Sequence, residues 1–269
     1  MSQPDRFDTM LHMHSASVSF AQFHAMTVAS DLEAVWALFT DAIASRGFPR
    51  AAYGLTTGAS RRDFGRPDQI TFLHNMPADW AERLIEDRLF ERSPAVRWAR
   101  RNDGLLRWGR LRLGSAGGPL ARLNAEHGVT AGMSIGFPPA ALGDRALLCL
   151  MAEPGAPQGQ ANLSWERHRC ELEALCRLLH LRVLTLPRNT VGPSLNHRQC
   201  EVLALIGAGM SVAQTAERIG RTAKAVEKRL AEARRVLSAG STAEAVLRAA
   251  DMNLISVFGS TQSSTVPAE

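Results

Sequence analysis

The stretch SLNHRQCEVLALIGAGMSVAQTAERIGRTAKAVEKRLAEARRVL (residues 194–237) decides how the carboxyl-terminal part of the chain folds. Short breaks at Gly207–Met210 and Gly220–Arg221 divide it into three segments, in which apolar residues recur at helical spacing. Three helices with short breaks are the layout of a helix-turn-helix, where the third helix enters the major groove of DNA. We therefore expect an all-α unit here.

The third segment, residues 222–237, predicts an amphipathic helix with Thr222 as its N-cap. Its outward side carries five cations against two acids, which suits the neutralisation of phosphates and the reading of base edges. A charge-rich helix is also typical of a merely solvated face, but the three-helix context favours DNA. The expected DNA contacts are Thr222, Lys224, Ala225, Lys228, Arg229 and Arg234.

Upstream, the prolines and glycine of LPRNTVGPS (residues 186–194) predict a linker. Before it, Ser30 or Asp31 can cap an amphipathic helix, and residues 78–91, 94–102, 119–126 and 163–184 also have helical spacing. Residues 51–56, 70–74, 129–137 and 145–152 have the pattern of strands, with a long polar turn at 57–69. Helices around an antiparallel sheet are therefore expected.

Composition limits the classes of protein that fit. A chain of 269 residues with 45% hydrophobic residues has material for two cores. The net charge of +5 favours polyanionic partners without deciding among them. We expect a cytoplasmic protein, because no apolar run is long enough for a membrane span and the start has no export leader. Reduced cysteines, no metal site and no cofactor are expected, since no CxxC pair or complete ligand set occurs.

The carboxyl-terminal stretch, together with STAEAVLRAADMNLI (residues 241–255), resembles the DNA-binding domain of LuxR-type regulators. It keeps Leu195, Arg198 and Gly220, among other positions of that pattern. It departs at Gln199, where the family usually has glutamate, at Thr215, where it has isoleucine, and at Ala225, where it has threonine or serine.

The stretch MPADWAERLIEDRLFERSPAVRWARRNDGLLRW (residues 76–108) resembles the acyl-homoserine-lactone sensors of the same family, with Trp80, Pro94 and Trp108 on the family's spacing. HGVTAGMSIGF (residues 127–137) resembles the family's F-G-I-x-S-G strand, with Gly132 on its glycine. Ser93 stands where the family has the aspartate that accepts the ligand amide, and Leu84 and Met76 replace tyrosines. These substitutions indicate that the sensor binds a more lipophilic signal, a compound of another class, or no ligand. The expected ligand contacts are Tyr53, Met76, Trp80, Leu84, Ser93, Trp108, Gly132 and Ser134.

The resemblance implies an α+β protein, in which an N-terminal α/β/α sandwich with an antiparallel sheet precedes an all-α, four-helix helix-turn-helix domain. Five segments of the chain are expected. The expected boundaries are a lead-in at residues 1–25, a sensor at 26–185, a linker at 186–194, the DNA-binding domain at 195–255 and a tail at 256–269. It also implies a homodimer that pairs through helices including residues 163–184, and partners that are double-stranded DNA and an autoinducer-like ligand.

Two other functions compete with this interpretation. The sequence G-M-S-I-G (residues 132–136) matches the G-x-S-x-G of hydrolases, but Pro138 and Pro139 oppose the helix that should follow Ser134, so no enzyme is expected. An anti-activator that pairs with another LuxR-type regulator, in place of binding promoters itself, is the stronger alternative.

Overall fold

The structure is a computed structural model that describes residues 20–56, 70–110, 118–139, 144–188 and 194–256. The chain divides into two compact units, residues 1–186 and residues 187–269. Four of the expected segments lie wholly or partly outside the described residues. They are the first 19 residues of the lead-in, the turn at 57–69, residues 189–193 of the linker and the tail beyond 256.

The first unit is built on a five-stranded antiparallel sheet. Its strands are β1 (Arg50–Thr56), β2 (Ile70–His74), β3 (Gly104–Arg107), β4 (Gly132–Phe137) and β5 (Arg145–Met151). They lie in the order β2-β1-β5-β4-β3, with every neighbouring pair antiparallel. Four strands were predicted, and β4 begins at Gly132, three residues later than expected. The short edge strand β3 was missed.

Alternating residues of the strands face two separate cores, because successive side chains of a strand point to opposite faces. In β5, Ala146, Leu148 and Leu150 belong to one core, whereas Leu147 and Met151 belong to the other. Four helices supply the first core: α1 (residues 20–28), α2 (Leu32–Ala44), α7 (Gln158–Arg167) and α8 (Arg169–Thr185). Four supply the second: α3 (Ala78–Glu86), α4 (Leu89–Arg92), α5 (Pro94–Ala99) and α6 (Pro119–Glu126). The predicted α/β/α sandwich is thereby confirmed.

Residues 20–28 form a helix, α1, so the irregular lead-in predicted for residues 1–25 is wrong from residue 20 onward. Met26 of α1 is fully buried in the first core, which explains why this part of the chain is ordered. Helix α2 begins at Leu32, and of the two predicted caps, Ser30 and Asp31, it is Asp31 whose side chain accepts a hydrogen bond of 2.8 Å from the amide of Ala34.

The single helix predicted for residues 163–184 is two helices, which meet at His168 with φ −114° and ψ 21°. Leu163 is also not a core residue: 74% of its surface is exposed. Similarly, the helix predicted for residues 78–91 is divided at Arg88, which adopts a left-handed conformation with φ 50°. Helix α6 has the predicted bounds, with Pro119 in its first turn.

The second unit contains four helices around their own apolar core, within the residues that the structure describes. They are α9 (His197–Gly207), α10 (Val212–Arg218), α11 (Ala223–Val236) and α12 (Thr242–Asp251). Val202, Leu203, Val226 and Leu230 lie at the centre of this core. None of the helices in the described part of the chain is long and apolar enough to cross a membrane.

Candidate functional site

A cavity of about 770 Å³ lies on the second face of the sheet, beneath α3 to α6. Its sheet side is formed by small and apolar side chains of three strands: Ala52, Gly54, Ile70, Phe72, Leu147 and Met151. Its helix side includes Trp80, Leu84, Phe90, Val96 and Leu120. Such a volume with mostly apolar walls matches the size and character of small-molecule sites in proteins.

Two tryptophan side chains of the cavity wall have their N–H groups engaged within the protein. Nε1 of Trp80 donates to Oδ1 of Asn124 at 3.2 Å, which joins α3 to α6. Nε1 of Trp108 donates to Oγ of Ser134 at 2.8 Å, and the same oxygen lies 3.3 Å from Sγ of Cys149. Both rings are therefore held in fixed orientations.

Gly132 lies behind the ring of Trp108. A Cβ placed at residue 132 would be 2.3 Å from the carbonyl oxygen of Leu150 and 3.2 Å from two ring carbons of Trp108. Only glycine permits this close approach of strand and ring. Gly132 therefore contributes to the cavity by admitting Trp108 to its wall.

The structure brings four of the eight predicted ligand contacts to the cavity wall: Trp80, Leu84, Ser93 and Trp108. Met76 belongs to the same apolar core but does not line the cavity. Gly132 and Ser134 do not line it either, and both instead support Trp108 from behind.

Tyr53, also predicted to contact the ligand, does not line this cavity, because its side chain lies on the opposite face of the sheet, in the first core. Its hydroxyl lies 2.7 Å from Nδ1 of His180, and the imidazole stacks on Phe137 with the ring centres 4.1 Å apart. Burial lowers the pKa of His180 to about 4, so the ring is neutral at pH 7. Tyr53 is thus a core residue of the α2 and α8 side.

Ser93, where the family has its amide-binding aspartate, has a structural role at the cavity wall. Its Oγ accepts a hydrogen bond of 3.4 Å from the amide of Val96 and caps α5. On either side in sequence, Arg92 and Arg97 also line the cavity, as do Asn124, Thr130 and Cys149. Sequence reasoning missed these five lining residues, and no motif marks Arg92 and Arg97, which are exposed on the short helices α4 and α5.

Cys149 is the thiol of the cavity wall. Burial raises its pKa to about 11, against a smaller lowering by its contact with Ser134. The sulfur is therefore a neutral thiol at pH 7, a weak hydrogen-bond donor and a poor nucleophile. Ser134 itself lies in the middle of β4 and not at the strand-to-helix turn of a hydrolase nucleophile.

In the second unit, Gln199 completes a capping box at the start of α9. Its side-chain oxygen accepts from the amide of Asn196 at 2.9 Å, while its own amide donates to Oδ1 of Asn196 at 3.0 Å. A glutamate in this position forms the same pair of bonds, so the neutral glutamine keeps the helix start intact. Thr215, where the family has isoleucine, is fully buried, and its hydroxyl finds no partner among the described residues.

The expected DNA contacts all lie on α11 or at its N-cap. Thr222 caps the helix, as predicted, through a bond of 3.2 Å from the amide of Ala225 to its Oγ1. Thr222, Lys224 and Lys228 are exposed, and 77% of the side chain of Lys228 is accessible. Ala225, Arg229 and Arg234 are half-buried.

The fold and the cavity together define an α/β/α ligand-binding domain followed by a compact helical unit. Residues 31–183, more than half of the chain, match the family model of the autoinducer binding domain. The chain therefore belongs to the autoinducer-binding-domain family, and the resemblance noted from the sequence is confirmed for this domain. No curated protein matches the chain.

Several solved structures are similar to this chain. CepR2 of Burkholderia cenocepacia, described as an N-acylhomoserine-lactone-dependent LuxR family factor, is 20% identical, with a TM-score of 0.50 over 62% of this chain and 93% of CepR2. SdiA of Escherichia coli is 17% identical over 88% of this chain and 98% of SdiA, with a TM-score of 0.45. The VqsR ligand-binding domain of Pseudomonas aeruginosa is 16% identical over 62% and 96%, with a TM-score of 0.43.

Proposed function

We propose that the chain is a DNA-binding transcription regulator controlled by a small lipophilic signal, either an acyl-homoserine lactone or an atypical ligand. One observation carries the proposal: a domain of the autoinducer-binding family contains an apolar cavity of about 770 Å³. Ligand that fills this cavity buries apolar surface and stabilises the folded sensor, so that occupancy controls how much protein is competent to act.

The second unit supports the DNA-binding part of the proposal. Helix α11 follows the short α10 after a turn at Gly220, where φ is +63°, as a recognition helix follows its supporting helix. The amide groups of its first turn and the exposed cations Lys224 and Lys228 suit DNA phosphates, and Arg229 and Arg234 extend the positive charge along the helix. In this proposal the protein acts in the cytoplasm, where bacterial DNA lies.

We propose a homodimer that presents two copies of α11 about one turn of DNA apart. Two leucines on α7 and α8 support pairing through these helices, because they expose apolar surface: 74% of Leu163 and 57% of Leu181 are accessible. The alternative, pairing with a different LuxR-type regulator, uses the same surface. Gln199, in place of the glutamate usual in the family, does not favour this alternative, because it forms both bonds of the capping box.

The proposal is tested by selection of DNA with the full chain. Sheared genomic duplexes are captured on the immobilised protein, sequenced, and used in gel shifts with and without a lipophilic extract of the culture medium. We expect a few enriched fragments, and an affinity for them that the extract changes. Uniform recovery of all fragments, with no shift at low salt, would contradict the DNA-binding role and leave the pairing alternative.

A further inference from the structure

The charges at the cavity all have one sign among the residues that the structure describes. Arg92 and Arg97 are its charged lining residues, both exposed at the rim, and no aspartate or glutamate of the described chain lines it. The neighbouring Arg83 and Arg88 form ion pairs with Glu126 and Glu91. Arg92 and Arg97 make no ion pair with a described residue, so both guanidinium groups remain available to a ligand.

The neutral polar side chains of the wall offer mainly hydrogen-bond donors, with the exception of Thr130, whose hydroxyl already donates to the carbonyl oxygen of Ala156 at 2.8 Å. The amide oxygen of Asn124 already accepts from Trp80, which leaves the N–H₂ group of Asn124. The oxygen of Ser93 accepts from the amide of Val96, which leaves its O–H. A ligand head that only accepts hydrogen bonds therefore fits this wall better than one with an amide N–H.

A carboxylate has these properties, since its two oxygens accept hydrogen bonds and pair with guanidinium groups. An acyl-homoserine lactone instead brings an amide N–H that needs an acceptor, and Ser93 stands where the family supplies a carboxylate for it. We propose that the cavity takes a free long-chain carboxylic acid, with its carboxylate beside Arg92, Arg97 and Ser93 and its alkyl chain against Ile70, Phe72 and Leu147. This inference rests on the proposed function, because it names the class of signal for the same cavity.

The affinities follow from the two parts of this ligand. Each added methylene is expected to tighten binding about fourfold until the cavity is filled, because burying one CH₂ group raises the affinity by about that factor. The arginines lie at the exposed rim, where solvent screens charge, so the loss of one weakens binding of the acid by about two- to fivefold. The same loss leaves the affinity for an uncharged ligand of equal chain length unchanged.

The test is a titration of the full chain with three ligands of equal chain length below their micellar concentrations: dodecanoic acid, dodecanol and N-dodecanoyl homoserine lactone. Tryptophan fluorescence reports binding, because Trp80 and Trp108 line the cavity. The variants are Arg92→Gln and Arg97→Gln, both at exposed positions. Arg101→Gln is the matched control, an exposed arginine that follows α5 and does not line the cavity.

We expect the acid to bind more tightly than the alcohol and the lactone, and to lose affinity in both rim variants but not in Arg101→Gln. Tighter binding of the lactone or the alcohol, or binding of the acid that neither variant weakens, would overturn the carboxylic-acid inference and leave the proposed function standing. Absence of binding by all three ligands and by lipophilic extracts would instead contradict ligand control itself.

Discussion

The buried hydrogen bond between Trp108 and Ser134 predicts a large effect from a small change, Ser134→Ala. Ser134 is fully buried and Trp108 is 7% exposed, with 2.8 Å between Nε1 and Oγ. Without Oγ, the indole N–H loses the hydrogen-bond partner that it has among the described residues. A buried donor without a partner costs about 1 to 3 kcal/mol, and we expect about 2 kcal/mol here.

Urea unfolding of the full chain, followed by tryptophan fluorescence, measures this loss. The sequence has five tryptophans, at 36, 80, 98, 108 and 165, and all lie in the first unit, so the signal reports this unit alone. For a domain of this size the expected fall in Tm is about 2 to 4 °C per kcal/mol. Ser164→Ala is the matched control and is expected to be nearly neutral, because Ser164 lies in α7 and its Oγ makes no hydrogen bond with a described residue.

A double-mutant cycle separates the unpaired N–H from other causes. In the Trp108→Phe background no N–H remains to be orphaned, so Ser134→Ala is expected to cost well under 1 kcal/mol there. An equal cost of Ser134→Ala in both backgrounds would refute the reasoning and assign the loss to packing around β4.

Three further changes have definite expected results. Thr215→Val removes a buried hydroxyl that has no described partner, and is expected to stabilise the second unit by about 1 kcal/mol. Calorimetry detects this as a higher Tm for the unfolding transition that tryptophan fluorescence does not follow. A lower Tm for that transition would contradict the prediction. Gly132→Ala places a Cβ 2.3 Å from a backbone oxygen and against Trp108. It is expected to destabilise the first unit by about 1 kcal/mol or more, as at other overpacked sites, and to weaken ligand binding. Unfolding and ligand affinity equal to those of the wild type would count against the described contact. The pKa of His180 in the folded chain, about 4, lies below its unfolded value of about 6.5. The neutral imidazole therefore contributes stability above pH 6.5 that is lost as the pH falls toward about 4, a loss of roughly 3 kcal/mol. His180→Gln is expected to flatten this part of the stability profile measured by urea unfolding, and an unchanged pH dependence would show that the imidazole is not buried in its neutral form.

The sequence predicts elements well where local chemistry specifies them. Asp31 and Thr222 are side chains that cap helices, and both helices begin where these residues predict. Pro119 likewise marks the first turn of α6. In contrast, β3 has four residues and depends on its pairing with β4, which is a long-range contact that no local pattern encodes.

The site was predicted in part, because a strand with apolar residues on both faces does not reveal which face meets the ligand. In β1, Ala52 and Gly54 face the cavity, whereas Tyr53 faces the other core. The prediction named Tyr53, the large aromatic residue of this strand, although small residues are what leave room for a ligand. Arg92 and Arg97 reach the cavity only because α4 and α5 fold over the sheet, and this placement depends on tertiary structure.

The central claim, that α11 binds DNA, is tested most directly by amine labelling of the full chain with and without its selected duplex. Lys224 and Lys228 are the two lysines of the sequence, and both lie exposed on α11, so side-chain labelling reports this helix alone. We predict that the duplex protects both lysines and that added salt, which weakens phosphate contacts, restores their labelling. Equal labelling rates of both lysines with and without a duplex that the protein binds would contradict the claim.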